Sequence, residues 1–147
     1  MDKDVLHKEI DLIQSCISRM ANNSFLLKGW AVSIIAVILA LADKALNPAL
    51  LSAVVLIPLV SFWYLDAFFL RTERMYRKMY EWVIEKRSAN DNSLLYDLNP
   101  HRFADAVDST RKTMWSITLR WFYGIPTVIT LAVIVARIFL KCGGAVA

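Results

Sequence analysis

Asp66 is the residue of this 147-residue chain whose surroundings most suggest a chemical role, since it lies in the stretch WYLDAFFLRTERMYRKMY at positions 63 to 80. A carboxylate among aromatic and aliphatic side chains is either a functional group in an apolar medium or a residue at the edge of that medium. Isolated charges close to lipid are costly and tend to be paired. Lys28 and Arg120 are the cations predicted to lie at a depth in the membrane similar to that of Asp66. We therefore expect Asp66, Lys28 and Arg120 to clamp helices together, with an ion-path lining or a headgroup contact as the alternatives.

Other residue patterns that support catalysis or metal binding are weak. His7 and Asp11 are one helical turn apart, but two potential ligands do not make a metal site. His101 has no Ser, Cys or second His placed to form a triad. Glycine-rich phosphate loops, zinc spacings and the Arg, short spacer, His signature of helical metal-independent ribonucleases are absent from the sequence. The sequence therefore predicts neither an enzyme nor a cofactor or metal site.

The composition indicates a membrane protein. The chain is 57% hydrophobic and 20% charged, with a mean hydropathy of +0.44, which is too apolar for an ordinary soluble domain of this length. Apolar side chains in excess of what a small core can bury must face lipid. The net charge of +4 is then read as a signal of topology, because Lys and Arg remain on the cytoplasmic side of a membrane.

Three apolar segments are predicted to span the membrane, at 24–43, 49–70 and 121–140. Asn47 can cap the second helix and Pro48 can occupy its first turn. No Gly or Pro interrupts the helical pattern from Arg71 to Arg87, so one long helix should cross the membrane and project from it. The third span has Gly124 and Pro126 near its start, where a kink is plausible.

The remaining segments are predicted to be cytoplasmic helices. The segment from Asp4 to Met20 has apolar residues in alternating steps of four and three and reads as an amphipathic helix, which packs on its own chain or a second copy, or else lies on the bilayer surface. Asn22, Asn23 and Ser24 should break or cap that helix. The sequence SANDNS at 88–93 reads as a loop, and Asn99 with Pro100 starts a further helix that continues to Met114.

The predicted fold is all-α: a helical membrane bundle with three spans, an N-terminal amphipathic helix and a cytoplasmic helical hairpin. The domains are 1–23, 24–70, 71–120 and 121–147. Lys and Arg cluster before Trp30 and between Arg71 and Arg120, which predicts that both segments lie on the cytoplasmic side of the membrane. The C-terminal tail should lie outside, although Arg137 and Lys141 count against that side. Cys16 and Cys142 would then lie on opposite sides and form no intrachain disulfide.

Two surfaces are predicted from residue type and spacing. The first is a helix-packing face of small residues, which allow close approach in membranes: Gly29, Ser33, Ala36 and Ala40. The second is a contact with lipid headgroups: Arg71, Arg74, Arg77 and Lys78. Glu73 should pair with Arg77 across one helical turn. RNA or a phosphorylated ligand is an alternative partner for this basic run, but no nucleic-acid motif is present, so nucleic acid is not expected.

Three motifs carry a resemblance to known proteins: SRMANNSFLLKGW at 18–30, FWYLDAFFLRTERMYRKMY at 62–80 and WFYG at 121–124. The sequence resembles a widespread group of small bacterial integral membrane proteins of largely unassigned function. In layout, though not in matched residues, it is also similar to pore-type membrane effectors of phage-defence loci, such as the accessory membrane protein of type VI-B CRISPR systems. This second resemblance implies an oligomeric pore and identifies no site residue.

Two functions are therefore expected from the sequence. The first is a homo-oligomeric membrane pore or ion channel, or a membrane-perturbing effector, with a role in bacterial antiviral defence and membrane lipid as its surroundings. The alternative is a membrane-anchored adaptor that recruits a soluble protein partner through its cytoplasmic helices and conducts nothing.

Overall fold

The computed structural model describes residues 3–41 and 48–143, which are helical apart from the turns and loops between helices, and none of these described residues is in a strand. Helix α1 spans Lys3–Leu41 and helix α2 spans Pro48–Ser88. A 3₁₀ helix follows at Pro100–Ala106, then a short helix α3 at Thr110–Met114, and finally α4 at Ile117–Gly143. The all-α class predicted from the sequence is confirmed.

Helix α2 is the element on which the others pack: α1, the 3₁₀ helix, α3 and α4 all contact it. It begins at Pro48 and continues without interruption to Ser88, passing through Pro58. The predictions of Pro48 in the first turn and of one helix through 71–87 are confirmed, while the predicted cap at Asn47 lies outside the described residues. A helix of 41 residues is about 60 Å long at 1.5 Å per residue, or roughly twice the thickness of a bilayer core.

The predicted break of α1 at Asn22, Asn23 and Ser24 is wrong. Helix α1 is continuous across these residues, so the boundary drawn between 1–23 and 24–70 is not a break in secondary structure. Asn and Ser disfavour a helix interior by only about 0.5 kcal/mol each, and packing against α2 on both sides of these residues outweighs that cost. Ser24 is 9% exposed and bonds to another helix, so it cannot cap one here.

The segment after the loop differs in part from the prediction. Asn99 does cap a helix, since its side chain accepts a hydrogen bond from the backbone N–H of His101. That helix is 3₁₀ and ends at Ala106, because Val107 is extended at φ −130° and ψ 155°. Ser109 then caps α3 by accepting from the N–H of Lys112. The continuous helix predicted to Met114 is therefore wrong, and two short helices pack back on α2 instead.

The interior consists of two separate clusters along α2. The first joins α1, α2 and α4 around these buried residues: Ala31, Leu59, Trp63, Ala67, Leu119 and Tyr123. The second joins α1 to the far half of α2 around Ile13, Met79 and Val83, with Leu98 and Phe103 packed against it. The seam predicted for the N-terminal helix thus packs on its own chain, since Ile13 is 1% exposed and Ile17 contacts the second cluster.

Two of the described helices are long and apolar enough to cross a membrane. They are α1 over Lys3–Ile38 and α2 over Val54–Ser88. This agrees with two of the predicted membrane segments by length and composition.

Candidate functional site

Asp66 lies at the point where three helices meet, and its side chain is completely buried. From α1, the Ser24 hydroxyl donates to one carboxylate oxygen, Oδ1, and the Lys28 ammonium lies 2.6 Å from the other, Oδ2. From α4, the Tyr123 hydroxyl donates to Oδ2 at 3.1 Å. The carboxylate on α2 is therefore bonded to both neighbouring helices.

Ser24 and Lys28 reach Asp66 together because they are four residues apart on α1. Residues at this spacing lie on one face of a helix. The Lys28 ammonium also donates to the Ser24 hydroxyl at 2.9 Å and to the Ser24 carbonyl at 3.4 Å. Its side chain is 23% exposed, whereas that of Asp66 is 0% exposed, so the lysine stem passes from the surface into the site.

Aromatic rings cover the site on the side of α4. Trp63 is stacked on Tyr123 with centroids 6.2 Å apart, and its ring meets Trp115 edge-on at 5.6 Å. The Trp63 indole N–H donates to the Met114 carbonyl at 2.9 Å, so its polar atom is satisfied. These contacts fix Tyr123 and add to the enclosure of the carboxylate, because stacked rings allow little movement of the phenol.

Arg120 is not brought to Asp66, which corrects the predicted group of Asp66, Lys28 and Arg120. Its side chain is exposed and its guanidinium lies 5.6 Å from the centroid of the Trp121 ring. Leu119 and Tyr123, one turn apart, form the buried face of α4, and a helix rotates by about 100° per residue. Arg120 is about 100° around the helix from Leu119 and so lies at the edge of this buried face, where its guanidinium meets the Trp121 ring and not Asp66.

Three of the four residues of the predicted helix-packing face are exposed on the surface of the protomer. Gly29, Ser33 and Ala36 are exposed, and a Cβ placed on Gly29 would meet nothing within 4 Å. The side chain of Ala40 lies outside the described part of the structure. Within the chain, α1 packs instead through the face that carries Ala31, because Ser24 and Lys28 on that side are drawn to Asp66.

The four basic residues predicted to contact lipid headgroups all have protein partners. Arg71 donates to the carbonyls of Asp108 at 3.0 Å and Ala104 at 3.2 Å. Arg77 pairs with Glu73 at 2.7 Å, which confirms the predicted pair one turn apart. Arg74 lies 3.9 Å from Asp108, and Lys78 lies 2.7 Å from Glu81.

A second buried ion pair, which the sequence did not reveal, joins Glu9 of α1 to Arg87 at the end of α2. The two side chains are 2% and 1% exposed, and both guanidinium bonds to the carboxylate measure 2.9 Å. Burial alone raises the pKa of Glu9, but hydrogen bonds from Arg87 and from the N–H of Tyr96, with the charge of Arg87, outweigh it and hold the pKa below its ordinary value. The Glu9 hydrogen bond in turn raises the pKa of Arg87.

The same pair holds the loop that follows α2. The Arg87 guanidinium donates to the carbonyls of Asp91 at 2.5 Å and Ser93 at 3.0 Å, and Glu9 accepts from the N–H of Tyr96 at 3.1 Å. Leu94 and Tyr96 have positive φ angles of 55° and 59°, which large side chains adopt only when their surroundings impose it. Glu9 and Arg87 therefore fix an otherwise unfavourable loop conformation.

The geometry of Asp66 is that of an interhelical clamp. Its two oxygens accept from three side chains, and no carboxylate atom is exposed to meet a headgroup or a passing ion. Among the described residues, no group of three or more His, Cys, Asp or Glu side chains could hold a metal ion. Cys16 is a free thiol, and the side chain of Cys142 is not among those described.

Comparisons of the chain with protein-family models, with curated proteins and with solved structures find no match in any of the three. Functional inference therefore rests on the residues and contacts described above.

Proposed function

We propose that this protein is a three-span membrane protein of the bacterial inner membrane that assembles into a homo-oligomer and permeabilises the membrane. Its embedding in lipid is supported by the low burial of its most apolar windows, 11% in α1 and 22% in α2. The core helices of a soluble protein would be mostly buried. Here the apolar side chains face outward, which is costly in water and favourable in lipid.

All three long helices have exposed apolar residues close to the Asp66 site. These residues occur both before and after Lys28 on α1, Asp66 on α2 and Tyr123 on α4. On α1 and α2 they include Phe25, Trp30, Val32, Val37, Ile57, Val60, Leu65 and Phe68. On α4 they include Trp121, Ile125, Val128, Ile129, Leu131 and Val135. Helix α4 has 27 residues, or about 40 Å at 1.5 Å per residue, which exceeds the roughly 30 Å of a bilayer core. We assign it as the third span, with the N-terminus and 71–120 in the cytoplasm.

The observation that supports assembly into a homo-oligomer is the outward position of Gly29, Ser33 and Ala36. Small residues on one face allow membrane helices to approach closely and pack, and this face is left unused by the protomer. The Asp66 clamp makes each protomer a fixed three-helix unit that such contacts can assemble. Similarity of layout to pore-type effectors of phage-defence loci supports permeabilisation as the result.

A leucine at Gly29 tests the oligomer without disturbing the protomer, because a side chain there meets open space. We expect Gly29→Leu to reduce the mass of the assembly in detergent and to slow potassium efflux from reconstituted vesicles. Val60→Leu is the matched control, since Val60 is 47% exposed on α2 and lies off the small-residue face. Equal mass and efflux for Gly29→Leu and the wild type would refute the proposed interface.

A second function, the adaptor, is favoured by the loop that Glu9 and Arg87 hold. Leu94, Leu95 and Tyr96 are 50%, 37% and 42% exposed there. This loop follows the end of α2, far from the exposed apolar residues near the Asp66 site. A fixed loop that displays three apolar side chains is suited to bind a soluble protein. A monomeric protein that leaves a potassium gradient intact would favour the adaptor over the pore.

A further inference from the structure

A groove of about 350 Å³ separates α2 from the chain that links the 3₁₀ helix to α3. One wall is a single face of α2, formed by Arg74, Arg77, Lys78 and Glu81, and the other is the backbone and side chains of 106–108. The volume falls in the range of about 300–1,000 Å³ that is usual for small-molecule sites.

Arg71 connects the two walls of this groove. It donates to the carbonyl of Ala104, two residues before the opposite wall, and to the carbonyl of Asp108 in that wall. The wall therefore has a fixed distance from α2. Because Arg71 is engaged with backbone atoms, the cations left to face the groove are Arg74, Arg77 and Lys78.

The groove carries an excess of positive charge. Its two carboxylates, Glu81 and Asp108, face three cations, and Asp108 is also bonded to Lys112 at 2.6 Å outside the lining. The Arg74 pair with Asp108 is long, at 3.9 Å. The Lys78 pair with Glu81 is 47% and 62% exposed, and ion pairs so exposed contribute about 0–1 kcal/mol, so an entering anion can replace Glu81. Arg77 is 62% exposed but keeps its 2.7 Å bond to Glu73, whose side chain is only 11% exposed, so it offers the anion its remaining N–H groups.

We infer that this groove binds a terminal phosphate group. Two guanidinium groups and one ammonium can surround a group with three terminal oxygens, and Arg forms paired hydrogen bonds with phosphate. A carboxylate has only two oxygens and less charge, so it would leave one of the three cations without a partner. This inference goes beyond the proposed membrane assembly, and the binding of a soluble phosphate does not depend on it.

The phosphate has two possible sources, a lipid headgroup or a free solute. Arg74 is six residues beyond Phe68, the last exposed large apolar residue of α2 before the groove, or about 9 Å along the helix. The headgroup region on each side of a bilayer is roughly 5–8 Å deep. In the proposed orientation, the groove therefore begins at the cytoplasmic margin of the headgroup region.

The test uses the full chain in phosphatidylcholine nanodiscs and has two arms. In the first, pyrophosphate is titrated and binding is measured by calorimetry. In the second, phosphatidic acid is included in the disc and native mass spectrometry measures how much remains bound to the protein. Arg74→Gln with Lys78→Gln removes groove charge, and Ala106→Phe fills the groove without altering charge. Lys3→Gln with Lys8→Gln, near the start of α1, is the control of equal charge.

We expect binding in at least one arm, weakened roughly tenfold or more by the Arg74 and Lys78 double variant, weakened by Ala106→Phe, and unchanged by the control. Binding of pyrophosphate alone identifies a soluble phosphate, and retention of phosphatidic acid alone identifies a lipid headgroup. The inference is overturned by absence of binding in both arms, by double-variant binding equal to that of the wild type, or by an equal loss in the control. Unchanged helicity in circular dichroism verifies that each variant is folded.

Discussion

Asp66→Ala is the substitution that most directly examines how the three long helices are held together. The change removes the acceptor for Ser24, Lys28 and Tyr123 at once. Lys28 can partly recover, because its side chain is 23% exposed and its ammonium also bonds to Ser24. The Tyr123 hydroxyl cannot recover in this way, since Tyr123 is 0% exposed.

The expected cost follows from these differences in burial. Breaking a buried ion pair by removing one partner costs about 3–5 kcal/mol, and an unsatisfied buried donor costs about 1–3 kcal/mol. Hydrogen bonds inside membranes contribute less, on average about 0.6 kcal/mol, and the lysine is not trapped. We therefore expect Asp66→Ala to lower the free energy of unfolding by about 2–4 kcal/mol.

A double-mutant cycle with Lys28→Met separates the ion pair from the other contacts. Removing both partners leaves no unpaired charge, so the double variant should lose about 1–2 kcal/mol less than the sum of the two single losses. Unfolding is followed by tryptophan fluorescence during denaturant titration in micelles, because Trp63 and Trp115 pack beside the site. Ser61→Ala is the control, as this exposed hydroxyl bonds only within its own helix.

Two results would refute the clamp. One is a loss below about 0.5 kcal/mol for Asp66→Ala, which is the size expected for an ordinary surface substitution. The other is strict additivity of Asp66→Ala and Lys28→Met, which would mean that the two side chains do not interact.

Three further predictions concern the neighbouring contacts. Tyr123→Phe removes the hydroxyl that donates to Asp66 but keeps the ring stacked on Trp63, so unfolding titrations should show a loss of about 1–2 kcal/mol, smaller than that of Asp66→Ala; an equal loss would assign the stabilisation to the phenol instead. The pKa of Glu9 is lowered on folding, so its contribution is complete above the ordinary value of 4.5 and is lost as pH falls through the folded value; acid unfolding curves of Glu9→Gln should therefore be flatter below about pH 4.5 than those of the wild type. Arg87→Met removes the donor to the carbonyls of Asp91 and Ser93, so limited proteolysis should cut within 89–99 faster than in a Lys78→Met control, whose ion pair with Glu81 lies within α2, and equal rates would contradict the role of Arg87 in holding the loop.

The sequence was informative where local periodicity and depth decide the structure. The start of α2 at Pro48, its passage through Arg71 and the Asn99 cap all depend on residues close in sequence, and all were predicted. The pairing of Lys28 with Asp66 was predicted from depth along the two helices, because hydrophobic length alone brings these residues to the same level.

The sequence was uninformative where helix rotation decides which side chain faces inward. Arg120 and Tyr123 lie at nearly the same depth, and charge alone favoured the arginine, yet the buried face of α4 contains Tyr123. Ser24 was read as a helix breaker because a Ser after two Asn usually marks a helix end, and its bond to Asp66 was missed. The four-residue spacing of Ser24 and Lys28 was the available signal.

Glu9 and Arg87 were missed for a different reason. Each stands among other charged residues on an amphipathic helix, and 78 positions separate them along the chain. Only the packing of α1 against the far half of α2 reveals that these two charges, unlike their neighbours, are buried. Their partners in the loop at 91–96 are backbone atoms, which leave no trace in a residue pattern.

The mass of the protein in lipid nanodiscs, measured by native mass spectrometry, tests the proposed assembly most directly. We expect a multiple of the 16.8 kDa chain for the wild type and a shift toward the single chain for Gly29→Leu. A wild-type protein found only as a single 16.8 kDa chain would contradict the homo-oligomer and, with it, the proposed pore.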